Sequence, residues 1–449
     1  MSLAQDPAGS SLTPTAVAGA GNSGARAERI AASVTGITLG RRLAAFRDSP
    51  GRVPAARPAS AARPLAERLA AAVDGVIIDG RSGRIVRVDA GSLPLALDRE
   101  RLSWIPGQPA PDQPLVCLDT ETTGLGTGTG TVAFLVGIAR WEAGTLRLVQ
   151  LLLPDHGDEA ALLDAVAAEI GTTPALVTYN GRTFDWPLLV ARFRLHGRAA
   201  PSLAAHVDLL TTVRRLFRHR LDRARLRSAE EGLLDLRRFD DVEGWEIPSL
   251  YFDFLRGGPA DPLARVVRHN AEDVRSLGRL LAYVDRTLAD PHARPSAHPG
   301  DQASLAGLLR AHGRHDDSLA CLDGAIGALR HAPHAGVASD PLGALLSARA
   351  RTLRRLGRPD DARAAWEEAA LVEGPDGAAA WVEVAKILEH AERDVQGALR
   401  ATDRALALLA RRRALGRPDP RAEGLLHGRR ARLVRRIERS RGAARPRTR

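Results

Sequence analysis

Asp119 and Glu121 stand two residues apart in Leu118-Asp-Thr-Glu-Thr-Thr-Gly-Leu125, at the end of the short apolar run Leu115–Asp119. If that run is a β-strand, its period of two places both carboxylates on one face of a sheet. Like charges at the edge of an apolar core repel and lose hydration. They persist where a cation lies between them or one of them is protonated. Oxygen ligands of this kind suit a hard divalent ion such as Mg²⁺ or Mn²⁺. The plainer alternative is a solvated pair in a turn, and the strand before it, apolar on both faces, argues against that.

Two further segments carry polar residues at the ends of apolar elements. In Tyr179-Asn-Gly-Arg-Thr-Phe-Asp-Trp-Pro-Leu188 a strand ends at Tyr179, Gly181 allows a tight turn, and Pro187 suits the first turn of a helix. Taken alone, Asp185 reads as an N-cap and Asn180 as a turn residue. In Arg268-His-Asn-Ala-Glu-Asp-Val274, His269 and Asp273 are spaced i,i+4 and share a helical face. Taken alone, that pair reads as two polar residues on the surface near a helix start.

The elements that must position these residues follow from hydrophobic period. Leu115–Asp119, Val132–Trp141 and Leu146–Leu153 read as three strands, the last two joined by a hairpin turn at Glu142–Thr145. Asp158–Ile170 reads as a helix, Ala175–Tyr179 as a strand, Trp186–His196 as a helix, His206–Asp208 as the end of a strand and Leu209–Phe217 as a helix. A long helix over Pro262–Leu288 closes the unit, with Val266, Val267, Leu277, Leu280, Leu281 and Val284 on its apolar face. Three antiparallel strands followed by alternating helices and strands predict a mixed α/β sheet.

Together the three polar segments resemble the exonuclease motifs of the DnaQ-like (DEDD) 3′–5′ exonuclease superfamily, and within it the YprB-type ribonuclease H-like proteins. The match runs in family order through Asp119-Thr-Glu121, Asn180-x-x-x-Phe184-Asp185 and His269-x-x-x-Asp273. It covers about residues 75–285, including Asp241-Val-Glu-Gly-Trp-Glu-Ile-Pro-Ser-Leu-Tyr-Phe252. The spacing of four before Asp273 is the one usual with tyrosine, whereas histidine members keep five. The resemblance implies a ribonuclease H-like fold and a two-metal hydrolysis of phosphodiester bonds that releases nucleoside 5′-monophosphates from a free 3′ end of DNA or RNA. It also implies that Asp119, Glu121, Asp185 and Asp273 ligate two divalent ions, Mg²⁺ or Mn²⁺, and that His269 is the general base. Thr122, Asn180, Phe184 and Trp186 would then lie against substrate. Tyr179 is near enough to stack on a terminal base, and core packing is the plainer role for Phe184. Asp208 reads first as a helix cap and second as support for the site. The competing expectation is a nucleic-acid-binding scaffold with weak or no catalysis, acting through the helical segments that follow.

Those segments begin near Gln302. Helix, break and Ala-rich helix recur, with breaks at Gly313–Asp317, Gly357–Asp361 and His390–Asp394 and second helices starting near Ser318, Ala362 and Ala398. Leu353–Ala370 fits a tetratricopeptide-like repeat, whose period is about 34, and an irregular helical bundle stands beside that reading. The expected organisation is a disordered segment over 1–62, with a helical turn near Ala25–Ser33, and a helix-and-hairpin lead-in module over 63–110. A ribonuclease H-like region over 111–290, helical repeats over 301–420 with a protein partner, and a basic tail over 421–449 would follow.

Of the net charge of +11, the 11 Arg and two Glu of Arg421–Arg449 supply +9, so the body of the chain is nearly neutral. Lys386 is the only lysine, which ties the arginine excess to coding bias as readily as to phosphate binding. The cluster Arg214, Arg215, Arg218, Arg220, Arg223, Arg225 and Arg227 divides the same way, between a substrate-tracking surface and a solvated helix face. Two cysteines, Cys117 and Cys321, exclude a disulfide framework. No apolar run approaches the ~20 residues of a membrane span. With no signal-like N-terminus, a cytoplasmic protein is expected.

Overall fold

The structure is a computed structural model that describes residues 64–124, 130–221, 223–289, 298–331, 341–372 and 375–443. The expected disordered segment 1–62 and its helical turn lie outside the described residues. After helix α1 (Leu65–Val73) come β1 (Val76–Gly80), β2 (Gly83–Pro94), β3 (Leu115–Thr122), β4 (Ala133–Glu142) and β5 (Thr145–Leu152). Then follow α2 (Glu159–Ile170), β6 (Ala175–Thr178), α3 (Asp185–Leu195), β7 (Ala205–Asp208), α4 (Leu209–Phe217), the single turn α5 (Leu226–Ala229), α6 (Ile247–Leu255) and α7 (Pro262–Ala289).

The seven strands form one sheet in the order β1-β2-β5-β4-β3-β6-β7. Neighbours are antiparallel from β1 to β3, and β6 and β7 join β3 in parallel. The mixed sheet expected from element order is therefore present. The hairpin of the lead-in segment is formed by β1 and β2. Its second strand runs over Gly83–Pro94 and pairs with β5, so the hairpin continues the main sheet. The turn between β4 and β5 holds Ala143 and Gly144 at φ 48° and 79°, the left-handed pair that a two-residue hairpin needs.

Alternation along the strands buries both faces. On one side Leu115, Cys117, Ala139, Leu148, Ala175 and Val177 pack with α4 and α7. On the other, Val116, Leu118, Val136, Ile138, Val149 and Leu176 pack with α2, α3 and α6. Asp119 and Glu121 share the parity of Leu115 and Cys117, which aims them toward α7. Two glycines let α7 lie close to the sheet. A Cβ at Gly137 would sit 2.3 Å from Asn270 Oδ1 and 2.7 Å from Val274, and one at Gly278 would sit 2.4 Å from Leu146.

The chain continues as α8 (Pro299–Ala311), α9 (His315–His331), α10 (Leu342–Arg355), α11 (Pro359–Leu371), α12 (Pro375–His390), α13 (Val395–Ala414) and α14 (Pro420–Ala443). Helix follows helix as expected. Residues 421–449 were expected as a basic tail, and those up to Ala443 lie in the 24-residue helix α14, which packs on its neighbours. Leu426 and Leu433 are buried seven residues apart, on one side of α14. Arg429, Arg432 and Arg436 reach Glu389 of α12 at 2.7, 2.9 and 3.3 Å. Charge counting alone hid this two-leucine stripe. Among the described residues, no helix is long and apolar enough to cross a membrane.

Candidate metal and nuclease site

Strand β3 delivers Asp119 and Glu121, and a register shift between Glu121 and Thr122 re-aims the chain there. The Thr122 hydroxyl donates to the Gly124 carbonyl at 2.6 Å, so it is engaged in its own turn. Helix α7 brings in His269, Asn270 and Asp273 from above. His269 Nε2 lies 3.8 Å from Glu121 Oε1 and 3.8 Å from Asp273 Oδ2. Asn270 is fully buried and donates from Nδ2 to Asp119 Oδ2 at 2.8 Å, while its Oδ1 accepts from the buried Gln150 amide at 2.9 Å. A polar line from the centre of β5 thus sets the orientation of Asp119.

Asp185 opens α3, and its carboxylate accepts from the Thr120 hydroxyl at 2.5 Å. No side chain caps that helix, so the N-cap role suggested by the sequence is not the one Asp185 fills. Helix α3 is held to α2 by Glu159, which accepts from Arg192 at 2.5 Å and pairs with His196 at 2.9 Å. Asp208 caps α4 through the Leu210 N–H at 3.0 Å and also accepts the Asn180 N–H at 2.8 Å. It therefore fixes the turn in which Asn180 adopts φ 65°. Phe184, expected in the core, is 47% exposed, whereas Trp186 and Tyr179 pack partly against the core.

The electrostatics follow from this convergence. Burial raises the carboxyl of Asp119 well above the usual carboxylate range, and the charges of Asp273, Asp185 and Glu121 add to the rise. Burial likewise raises Glu121, with Asp273, Asp185 and Asp241 contributing. Asp185 and Asp273 are pushed up by burial too. Thr120 opposes the rise at Asp185, and His269 and Arg238 oppose it at Asp273.

The sequence assigned no role to several residues that surround these acids. Between α5 and α6 the chain folds over the acids and supplies Arg238 and Asp241. Arg238 contacts Asp273 at 2.5 Å, Asp241 at 3.4 Å and also Glu230, an almost fully buried residue of the π-turn Glu230–Leu234. Burial works against the Arg238 charge, yet Asp273 and Glu230 hold it firmly protonated. Asp241 Oδ1 lies 2.7 Å from His269 Nδ1. Despite partial burial, His269 and Arg238 keep Asp241 below the usual range. Asp241 opens the segment that took part in the resemblance, but nothing in the sequence directed it or Arg238 to α7.

Of the arginine cluster, Arg214, Arg215 and Arg218 line a cavity of about 640 Å³ with Leu221 and Ala224. Arg220 and Arg227 are instead drawn into ion pairs with Asp301 and with Glu231 and Glu243.

Crowded carboxylate oxygens of this kind are chemically suited to divalent Mg²⁺ or Mn²⁺. Arg238 beside Asp273 shows the same demand for positive charge. The acids are not one compact shell. Among the described residues, the cluster whose ligand atoms all lie within 4.8 Å of one another is His219, His298 and Asp301, elsewhere in the fold. A site for two ions shares its carboxylates over a wider span.

The sheet with its flanking helices is a ribonuclease H-like region, and residues 116–284 match the family model described as the RNase_H superfamily. An uncharacterized protein YprB of Bacillus subtilis (strain 168) is 37% identical over 211 residues, which are 46% of this chain and 51% of that protein. The chain therefore spans about half the length of this curated relative. A solved structure, the crystal structure of BtubC (BKLC) from P. vanneervenii, shares 19% identity over 44% of this chain and 84% of that one, with a TM-score of 0.25. A likeness of that size carries no argument about shape.

Proposed function

We propose that the protein is a metal-dependent 3′–5′ exonuclease that hydrolyses phosphodiester bonds at a free 3′ end of single-stranded DNA or RNA and releases nucleoside 5′-monophosphates. The observation that carries this reading is the convergence of Asp119, Glu121, Asp185 and Asp273 on one another's charge, with His269 beside two of them. Asp119, Glu121 and Asp273 would hold one divalent ion, and Asp119 with Asp185 the second. When bound, two such ions supply charge neutralisation for the attacking and leaving oxygens. Opposite the Asp241 carboxylate, Nδ1 of His269 carries the proton. The lone pair of the neutral ring is then at Nε2, on the side of Glu121 and Asp273, where it can take a proton from the attacking water. Gln150 and Asn270 keep the Asp119 carboxylate from turning away. Arg214, Arg215 and Arg218 offer phosphate contacts that position a strand without reading its sequence. The exposed Phe184 ring is free to stack on a base.

The Arg238–Asp273 ion pair favours a second reading. In it the guanidinium keeps the cation's place, and the chain is a nucleic-acid-binding scaffold whose tetratricopeptide-like helices recruit a protein partner. One assay separates the two. Purified protein with Mn²⁺ is incubated with 3′- and 5′-labelled single strands of DNA and RNA, beside Asp119→Asn. Stepwise, EDTA-sensitive shortening from the 3′ end that Asp119→Asn abolishes supports the exonuclease. Binding without metal-dependent cleavage supports the scaffold.

A further inference from the structure

The compact ligand cluster is remote in sequence from the four acids and joins two parts of the fold. His219 lies in the 3₁₀ turn Arg218–Arg220 that follows α4, whereas His298 and Asp301 stand at the start of α8. One ligand atom from each lies within 4.8 Å of the other two. His219 Nε2 is 2.6 Å from Asp301 Oδ1, and the two imidazoles stack with centroids 4.7 Å apart. Asp301 is 8% exposed, and its second oxygen, Oδ2, is held by Arg220 at 3.2 Å. Gly300 is required here, because a Cβ at that position would lie 2.4 Å from the His219 ring.

We propose that His219, His298 and Asp301 form a binding site for one zinc-class divalent ion that clips the ribonuclease H-like region to the helical array. Two imidazoles and a carboxylate are a ligand set for zinc and its first-row neighbours, in contrast to the all-oxygen set around Asp119. The carboxylate is already oriented by a partner on its far oxygen, the arrangement that typically supports a ligating side chain. Nδ1 of His298 accepts the Gly300 N–H at 3.1 Å, and ligation would exchange that cap for the bond to the ion, because the neutral ring has a single lone pair. Binding would replace the 2.6 Å hydrogen bond between His219 and Asp301 with two bonds to the ion, opening the pair to a little over 3 Å for bonds of about 2.0–2.2 Å. The clip would also brace the arginine-lined cavity, because Arg218 directly precedes His219.

The test uses the full chain carrying Asp119→Asn and Asp273→Asn, so that the acid site does not compete. Metal-free protein is titrated with zinc chloride against a chromophoric chelator, and with cobalt chloride while visible absorption is followed. One equivalent of zinc, intense cobalt bands of a tetrahedral N/O site and a rise in Tm are expected. His298→Asn keeps a good N-cap for α8 and so keeps the fold. It should weaken zinc binding at least 10-fold and abolish the cobalt bands. Asp301→Asn should act in the same direction. Absence of stoichiometric zinc binding, or equal affinity in a folded His298→Asn protein, overturns the proposal.

Discussion

His269 and Asp241 come from segments 28 residues apart, yet Nδ1 of the imidazole meets Oδ1 of the carboxylate at 2.7 Å. That contact points Nε2 at Glu121 and Asp273, each 3.8 Å away. If the ring is the general base, His269→Ala loses roughly 10²–10⁴-fold in single-turnover rate. Asp241→Asn, which leaves the ring but releases its orientation, loses roughly 10–100-fold. The Mn²⁺ midpoint should stay within a few-fold of wild type in both. Wild-type rates for both variants would assign the proton transfer to another group.

Removal of metal gives a stability test with a definite sign. Asp119 is raised above its unfolded value, so its ionisation disfavours the fold. Its contribution is most favourable below the unfolded value near ~3.9 and is lost as pH rises through the raised folded value. In EDTA, Asp119→Asn should therefore have a higher Tm than wild type, by a margin larger at pH 8 than at pH 5. Calorimetry at the two values checks this, and a margin that shrinks with pH refutes it.

A second pH effect has the opposite direction. Burial lowers His206 to about 4, and its Nε2 pairs with the Thr178 hydroxyl at 3.0 Å. Above pH ~6.5 the ring is neutral in both states, and its contribution is complete. As pH falls from there toward 4, the unfolded chain takes up a proton that the fold refuses, and stability is lost. His206→Gln should show a smaller fall in Tm between pH 7 and pH 5 than wild type does. An identical fall would mean that the ring protonates freely in place.

Gly137 offers a test of positioning. A methyl there meets Asn270 and Val274, so Gly137→Ala should cost about 1–3 kcal/mol in chemical denaturation through overpacking. Because α7 carries His269 and Asp273, the same change should lower any nuclease activity disproportionately, with the secondary structure intact. Wild-type stability in Gly137→Ala would show that the helix is not seated as closely as the geometry indicates.

How much of this was legible in the sequence depended on whether the signal was local. The strand carrying Asp119, the i,i+4 pair on α7 and the hairpin turn each follow from neighbours in the chain, and the mixed character of the sheet followed from the order of elements. Asp241, Arg238 and Gln150 did not. Their roles arise only when a loop folds over α7, or when a polar residue of an otherwise apolar strand faces a helix more than 100 residues away. Asp185 shows the reverse error. Its position before Pro187 imitates a cap, and only the presence of Thr120 across the sheet reveals where its oxygens go.

Helix α14 covers one flank of the helical array. A stack of helices leaves a bare apolar flank at its last member, onto which another copy can add, unless that member has a polar outer face. Here Leu426 and Leu433 turn inward, three arginines pin the helix on the buried Glu389, and Arg421, Arg435 and Arg439 are exposed. Two such surfaces repel each other, so pairing of two copies through the outer faces of α14 is opposed by like charge.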